Sequence, residues 1–426
     1  MDRKITIFII LAFVGIALAD LDPHHVKLAL TKQTDQYRVT WFTNDQGSSP
    51  SLLYSTNTFQ PQSGAGSAAV FGVQGSVESF DTPHWNGHSN TAVMEGLSEW
   101  TTYYYSVGDK ETASWSQVFN FSTRGFTQTP FKFAVYGDMG HGGVGIDRDE
   151  NYTLSGVVQR ESELDFVLHV GDIAYADLKL STIIQGNETV WNEFLDIIQP
   201  VSSILPYMTC PGNHDIFYDF TVYRKTFFMP TDKPTQSWYS FDYGQVHFVS
   251  FSTEHDYFPL SSQYNWIENE LKTYREKNPN GWLVVYAHRP MYCSVKWKWC
   301  KNKHESRKLF VKTFEKMFFR YNVDLYIAGH VHNYERSLPV YKGEVAGSYE
   351  NPKGPVHITI GTGGNKEGPL HGWQEAPEWS EGIRFIGTGF GTINILNSTT
   401  LQFDFIGNEK NDVIDSFTLT KGDFFE

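Results

Sequence analysis

From Asp20 to about Thr123 the chain runs in short segments of alternating apolar and polar residues, such as Tyr37-Arg-Val-Thr-Trp41 and Thr102-Tyr-Tyr-Tyr-Ser106, separated by Gly, Ser, Pro and Asn. Alternation turns one face of a strand to a core and the other to water, and closely spaced turn residues predict an antiparallel β-sandwich over 20–123. Residues 124–130 read as a linker. Beyond it the pattern changes: continuous apolar runs at 131–136, 166–170, 246–251, 282–287 and 325–328 predict strands buried on both faces. Residues 263–276 and 305–319 carry the spacing of amphipathic helices, so 131–426 is expected to be an α/β layer domain. Short strands return after Val356, including 391–396 and 401–406, with no new linker. They are expected to complete the sheets of the same domain.

The first residues form a separate element. Arg3 and Lys4 precede an apolar run from Ile5 to about Leu18, and Ala17-Leu18-Ala19 has the small-x-small form of a cleavage site. This predicts a signal peptide over 1–19, its run falling short of the ~20 residues of a membrane span. Sequons at Asn120, Asn151, Asn187 and Asn397 agree with a secreted or lysosomal, lumenal chain with no membrane attachment after cleavage.

Composition narrows the classes of function. Of the 426 residues 40% are hydrophobic and 16% aromatic, which excludes global disorder. Lys and Arg total 34 against 48 Asp and Glu, a net charge of −14 that repels polyphosphate backbones and disfavours nucleic acid as a partner. Three cysteines do not make a disulfide scaffold. Cys293 and Cys300 enclose a short loop with Lys296, Trp297, Lys298 and Trp299 and are expected to pair. Cys210 reads as a buried free thiol rather than a nucleophile. His24, His25, His84 and His88 lack ligand-like spacing, and the sandwich is assigned no chemistry.

Five motifs fall at the C-terminal ends of apolar strands: Gly137-Asp138-Met139-Gly140, Gly171-Asp172-Ile173-Ala174-Tyr175, Gly212-Asn213-His214-Asp215, Ala287-His288-Arg289-Pro290 and Gly329-His330-Val331-His332. Each alone reads more readily as a cap or turn, but five together do not, and the carboxyl edge of an α/β sheet is where loops converge on one crevice. Asp138, Asp172, Tyr175, Asn213, His288, His330 and His332 offer oxygen and imidazole donors without thiolate, a set suited to ferric iron, zinc or manganese. Seven donors exceed the needs of one ion. Two ions sharing a carboxylate would use them all, an arrangement suited to phosphoryl transfer.

With these motifs in this order the sequence resembles the purple acid phosphatases, within the wider dinuclear metallophosphoesterase family. The resemblance implies a fibronectin-III-like sandwich followed by a four-layer α/β catalytic domain. It also implies a ferric ion on Asp138, Tyr175 and His332, and a divalent ion (Zn, Fe or Mn) on Asn213, His288 and His330, with Asp172 bridging. Gly-Asp-x-x-Tyr marks the purple branch. His214 is implied as an outer-sphere residue donating to the phosphate or its leaving oxygen. The sequence departs from the plant pattern after His288, where those relatives place histidines near the leaving group; here Arg289-Pro-Met-Tyr-Cys293 leads into the Lys/Trp loop, and His304 beyond it is a second candidate acid. Lys296, Lys298 and Lys301 read either as an anion-attracting or as a solvated basic loop. The implied function is acid hydrolysis of phosphate monoesters by a metal-bound hydroxide. The alternatives are a phosphodiesterase or nucleotide hydrolase on the same centre, or a secreted binding protein without turnover. No G-x-S-x-G elbow or phosphate-binding P-loop is present, and neither Cys210 nor Cys293 is followed six positions on by Arg.

Overall fold

Strands His24–Leu30, Tyr37–Thr43, Trp85–Met94 and Ser76–Thr82 form one antiparallel sheet of the first unit. Pro50–Ser55 pairs with Phe71–Gln74 and with Thr102–Asp109 in the second, which Ser114–Trp115 and Phe119–Ser122 extend. The computed structural model describes residues 19–63, 69–83, 85–127, 130–141, 152–180, 183–301 and 303–422. The predicted signal peptide, except Ala19, and Asn151 and His84 lie outside the described residues. Between the sheets the core is aromatic, with Tyr37 stacked on Phe121 at 5.0 Å and Trp41 fully buried.

Alternation alone predicts one wet face for each strand, yet Tyr37–Thr43 and His24–Leu30 are buried almost throughout. The reason is a second contact: the sandwich packs on helix Glu188–Ser202 and strand Tyr207–Cys210 of the following domain. Gln199 Oε1 accepts from Val26 N at 2.8 Å, Ser202 Oγ donates to Val26 O at 3.0 Å, and Tyr105 Oη donates to Ser203 O at 2.6 Å. His25 Nε2 lies 3.1 Å from Asp196 Oδ1. One apolar core runs without a break from Val26, Leu28 and Trp41 to Phe133, Phe166 and Phe194. The sandwich thus braces the segment that leads into Gly212-Asn213-His214.

The second unit holds two facing sheets. In the first, Tyr207–Cys210, Phe166–Val170 and Phe131–Tyr136 run parallel, and Gly389–Ile395, Thr400–Gly407 and Asp412–Thr420 continue antiparallel. In the second, the order is Tyr239–Tyr243, Val246–Ser250, Trp282–Tyr286, Leu325–Ala328, Val356–Ile360, Tyr334–Ser337 and Ser380–Phe385, with the four from Val246 to Ile360 parallel. Phe133 and Phe166 of one sheet meet Phe248 of the other at 5.4 and 5.5 Å. Helices Tyr152–Val158 and Glu188–Ser202 cover the first sheet; Ser262–Lys277 and Glu305–Arg320 cover the second with Ile267, Leu271, Phe310, Phe314 and Phe318. The result is a four-layer α/β/β/α domain in which the late strands complete both sheets, as the pattern predicts.

Cys293 and Cys300 form a disulfide, and Cys210 is a free thiol. Complete burial pushes that thiol well above its ordinary pKa, which supports the buried-thiol reading. His357 is held neutral in the core, its ring 4.8 Å from Tyr292, and burial lowers its pKa to about 3. Among the described residues no helix is long and apolar enough to cross a membrane.

Candidate metal centre

The five motif loops converge at one end of the two sheets, where the parallel strands release their chains into the gap between layers. Asp138, Asp172, Tyr175 and His330 all have positive φ, from 50° to 67°. Non-glycine residues rarely adopt this conformation, at a cost of order 1–3 kcal/mol each, and it gathers where function fixes a side chain. Neighbouring glycines make the room: a Cβ on Gly212 would stand 2.2 Å from Asp172 Oδ1, and one on Gly329 would stand 2.2 Å from Asp138 Oδ2.

Two groups of donors result. Tyr175 Oη lies 3.2 Å from Asp138 Oδ1 and 2.9 Å from His332 Nε2, and those two atoms are 3.3 Å apart. In the other group His288 Nε2 lies 3.1 Å from Asp172 Oδ2 and 3.3 Å from Asn213 Oδ1. Donor atoms of Asp172, His288 and His330 all fall within 4.8 Å of one another. Asp172 Oδ2 is also 3.5 Å from Tyr175 Oη, so one carboxylate touches both groups. All seven residues that the motifs single out therefore meet in one place.

Hydrogen bonds aim the donors. His288 Nδ1 donates to Val170 O at 3.2 Å and His332 Nδ1 to Gly368 O at 3.0 Å, which turns each Nε2 inward. His214 N donates to Asp172 Oδ1 at 2.7 Å, and His330 N to Asp138 Oδ2 at 2.8 Å, leaving the other oxygen of each carboxylate for the cluster. Asp215, which sequence reasoning left without a role, accepts from Gly212 N and Ile173 N and staples two ligand loops together. Burial and the charge of Asp172 raise its pKa to about 8.

The electrostatics fit metal ions. Burial, then Asp138 and Asp172, push the Tyr175 phenol well above its ordinary pKa, so a tyrosinate there needs a strong counter-cation. Burial opposes charge on Asp172, but His288 and His214 outweigh it and hold the carboxyl below its usual range. For His288 burial is outweighed by Asp172 and Asp138, which raise it to about 9. His330 is driven well below its ordinary value by burial, Arg289 and His288, and presents a neutral imidazole. Protons thus balance buried carboxylates that cations would otherwise balance, and binding ions would displace those protons. The hard-oxygen and imidazole donor set, with the phenol in one group and the amide in the other, suits two ions of unequal charge.

A cavity of about 660 Å³ opens onto the cluster, lined among others by Asn213, His214, Glu254, Arg289, Trp297 and His304. That is the size of a small-molecule site. His214 stacks on Tyr175 at 4.4 Å, and its Nδ1 donates to Asp177 Oδ1 at 2.7 Å. Its Nε2 faces Glu367 Oε1 at 3.8 Å. Burial is outweighed by Asp172 and Asp177, raising His214 to about 9. Asp177 and Glu367 had no sequence signal beyond Asp177 standing two residues past Tyr175. His304 lines the same cavity, but its Nδ1 accepts from Arg307 N at 3.4 Å and caps the helix Glu305–Arg320, and Trp299 stands against it at 5.1 Å. Among the sequons, Asn120 and Asn397 are exposed, whereas Asn187 is half-buried and caps helix Glu188–Ser202 by accepting from Val190 N.

Residues 131–334 match the model of the calcineurin-like phosphoesterases, so the second unit is a metallophosphoesterase domain. Residues 23–123 match the model described as purple acid phosphatase, N-terminal domain, and 354–416 that of the iron/zinc purple acid phosphatase-like protein C. Mouse acid phosphatase type 7 is 35% identical over 339 residues, covering 75% of this chain and 73% of that protein. Purple acid phosphatase 18 of Arabidopsis thaliana is 31% identical over 388 residues, covering 88% and 78%. The chain belongs to the purple acid phosphatase family. A purple acid phosphatase isolated from yellow lupin seeds shares the fold, with a TM-score of 0.79 over 95% of this chain and 75% of that one at 23% identity. Relatives also include a probable inactive purple acid phosphatase 1 of Arabidopsis thaliana, 28% identical over 94% of this chain and 69% of that protein. Family and donor cluster support a phosphatase built on a metal centre.

Proposed function

We propose that the protein hydrolyses phosphate monoesters in acid on a mixed-valent pair of ions, one ferric and one divalent (Zn, Fe or Mn). The observation that carries this is the sharing of Asp172 by two donor groups of different character, one with Tyr175 and one with Asn213. Asp138, Tyr175 and His332 would hold the ferric ion, Asn213, His288 and His330 the divalent one. When bound, such a pair supplies a nucleophile from water below neutral pH and draws charge from the phosphoryl oxygens. The rest falls to the chain. Tyr175 and the carboxylates offset the higher charge. His214, with Nδ1 tied to Asp177, presents Nε2 to the cavity and gives its proton to the leaving oxygen. The predicted leader, the sequons and a disulfide that persists in oxidising compartments support a secreted or lysosomal place for this activity.

The test is hydrolysis of a generic aryl phosphate by metal-replete protein from pH 4 to 8, with elemental analysis and a visible spectrum. Turnover with an acid optimum, iron, and a visible band lost in Tyr175→Phe are expected. No turnover with both metals bound would favour a binding protein, and absence of iron would sink the ferric tyrosinate assignment. Faster turnover of diesters than of monoesters would favour the phosphodiesterase reading.

A further inference from the structure

One charged group of the cavity has no part in the hydrolysis so far. Arg289 directly follows His288, and its guanidinium is fixed on three sides. Glu254 accepts from Nε at 2.6 Å and from Nη2 at 2.8 Å, a bidentate pair in which the Glu254 side chain is itself 10% exposed. The Trp299 ring lies against the guanidinium carbon at 4.9 Å. Trp299 is in turn pinned, its Nε1 donating to Pro290 O at 3.0 Å beside the Cys293–Cys300 disulfide. On the third side Nη1 donates to His330 Nε2 at 2.9 Å and Nη2 to Asn213 Oδ1 at 3.2 Å.

The third side is the informative one. Asn213 Oδ1 and His330 Nε2 belong to the divalent-ion group, and the single lone pair of His330 Nε2 cannot serve an ion and the guanidinium at once. When His330 turns to an ion, Arg289 keeps Glu254 and Trp299 but loses the acceptor of its Nη1 N–H groups, on a side chain that is only 20% exposed. Such groups demand an anion. The carboxylate of Glu254 limits repulsion between the guanidinium and a neighbouring ion. The planar fork, already immobilised, matches two oxygens of a tetrahedral oxyanion and loses little freedom in binding it.

We propose that Arg289 is a substrate-binding residue whose Nη1 and Nη2 take two oxygens of the ester's phosphate group, with Glu254 and Trp299 as the positioning residues that hold it there. The identity of the anion rests on the phosphatase reading. Lysine offers a point charge in place of a fork and cannot do the same.

The experiment measures binding of inorganic phosphate to the metal-replete full chain by calorimetry, with metal content, thermal unfolding and the KM and kcat of an aryl phosphate recorded for each variant. Arg289→Gln is expected to keep two metals and weaken phosphate binding roughly 10- to 100-fold, with KM rising. Arg289→Lys should recover only a small part of that loss. Glu254→Gln, which leaves the arginine in place but unpinned, should weaken phosphate binding several-fold and serves if the arginine variants do not fold. Unchanged phosphate affinity in Arg289→Gln, full recovery by lysine, or loss of a metal ion on removing the arginine would each overturn the proposal. A wild type that binds phosphate through Arg289 yet turns over no ester would uphold this site and overturn the phosphatase reading.

Discussion

The sandwich and the phosphoesterase domain both bury polar groups, and they do so in opposite ways. In the sandwich a buried charge is met by a neutral partner: Lys27 Nζ donates to His25 O at 2.6 Å over the Phe42 ring, and burial draws its pKa down to about 7. Its strands pack around stacked aromatic rings, with the outer face of two of them covered by the neighbouring domain. In the phosphoesterase domain two carboxylates, a phenol and three imidazoles crowd together, four of the motif residues in a strained backbone conformation. The difference separates placement by hydrophobic pattern from placement against it. A region that minimises its own free energy has no need of left-handed aspartates. One that must present charge to a ligand accepts them, and relies on a well-packed neighbour to keep them there.

That contrast can be broken most forcefully at the shared carboxylate. Asp172→Asn is expected to abolish turnover and to weaken both metal sites by more than about 100-fold, because even outer partners of metal ligands change affinity 10–100-fold. Elemental analysis of purified variant protein checks this, and loss of one ion alone would argue against sharing. A step below it, His214→Ala should retain both metals and the fold while turnover of esters with poor leaving groups falls about 10²- to 10⁴-fold. Esters with good leaving groups should suffer less. Equal loss for both would assign His214 to phosphate positioning, and His304→Ala run alongside shows whether the capping histidine contributes. The smallest effect belongs to the sandwich side. Tyr105→Phe removes a buried bond to Ser203 O across the interface and should cost about 1–3 kcal/mol of stability in denaturant unfolding, with kcat unchanged. If turnover falls with it, the brace and the site are coupled more closely than packing alone implies.

The centre was legible in the sequence because four of the five motifs close continuous apolar runs, and such a run is a pattern that survives without its partners. The same reading did not identify the strand Tyr207–Cys210, although it carries Asn213. Four residues, one of them Thr209, are too few to show a period. Helix Glu188–Ser202 was likewise obscured, with Pro200 inside its last turn. Partnerships were harder still. Glu254 finds Arg289 and Asp177 finds His214 across 35 and 37 residues, distances at which a carboxylate in one loop gives no sign of the cation in another. His304 shows the converse, a residue whose type suggested acid chemistry and whose place at a helix start gives it a structural bond.

The strand Phe131–Tyr136 has a consequence for how the protein is made. It lies between Phe166–Val170 and Gly389–Ile395, and the loop at its end is tied down from far along the chain: Gly137 N donates to Ile360 O, Gly363 N to Gly137 O, and Asn365 Nδ2 to Asp138 O across 227 residues. A ribosome therefore delivers the first donor long before the residues that fix it. Until then one edge of the strand stands open, a long-range closure of the kind that slows folding and invites edge-to-edge association. The bracing of the first donor is completed last, with the C-terminal strands. A chain cut short before Gly389 would carry every donor in its sequence and still lack the sheet that sets the first of them in place.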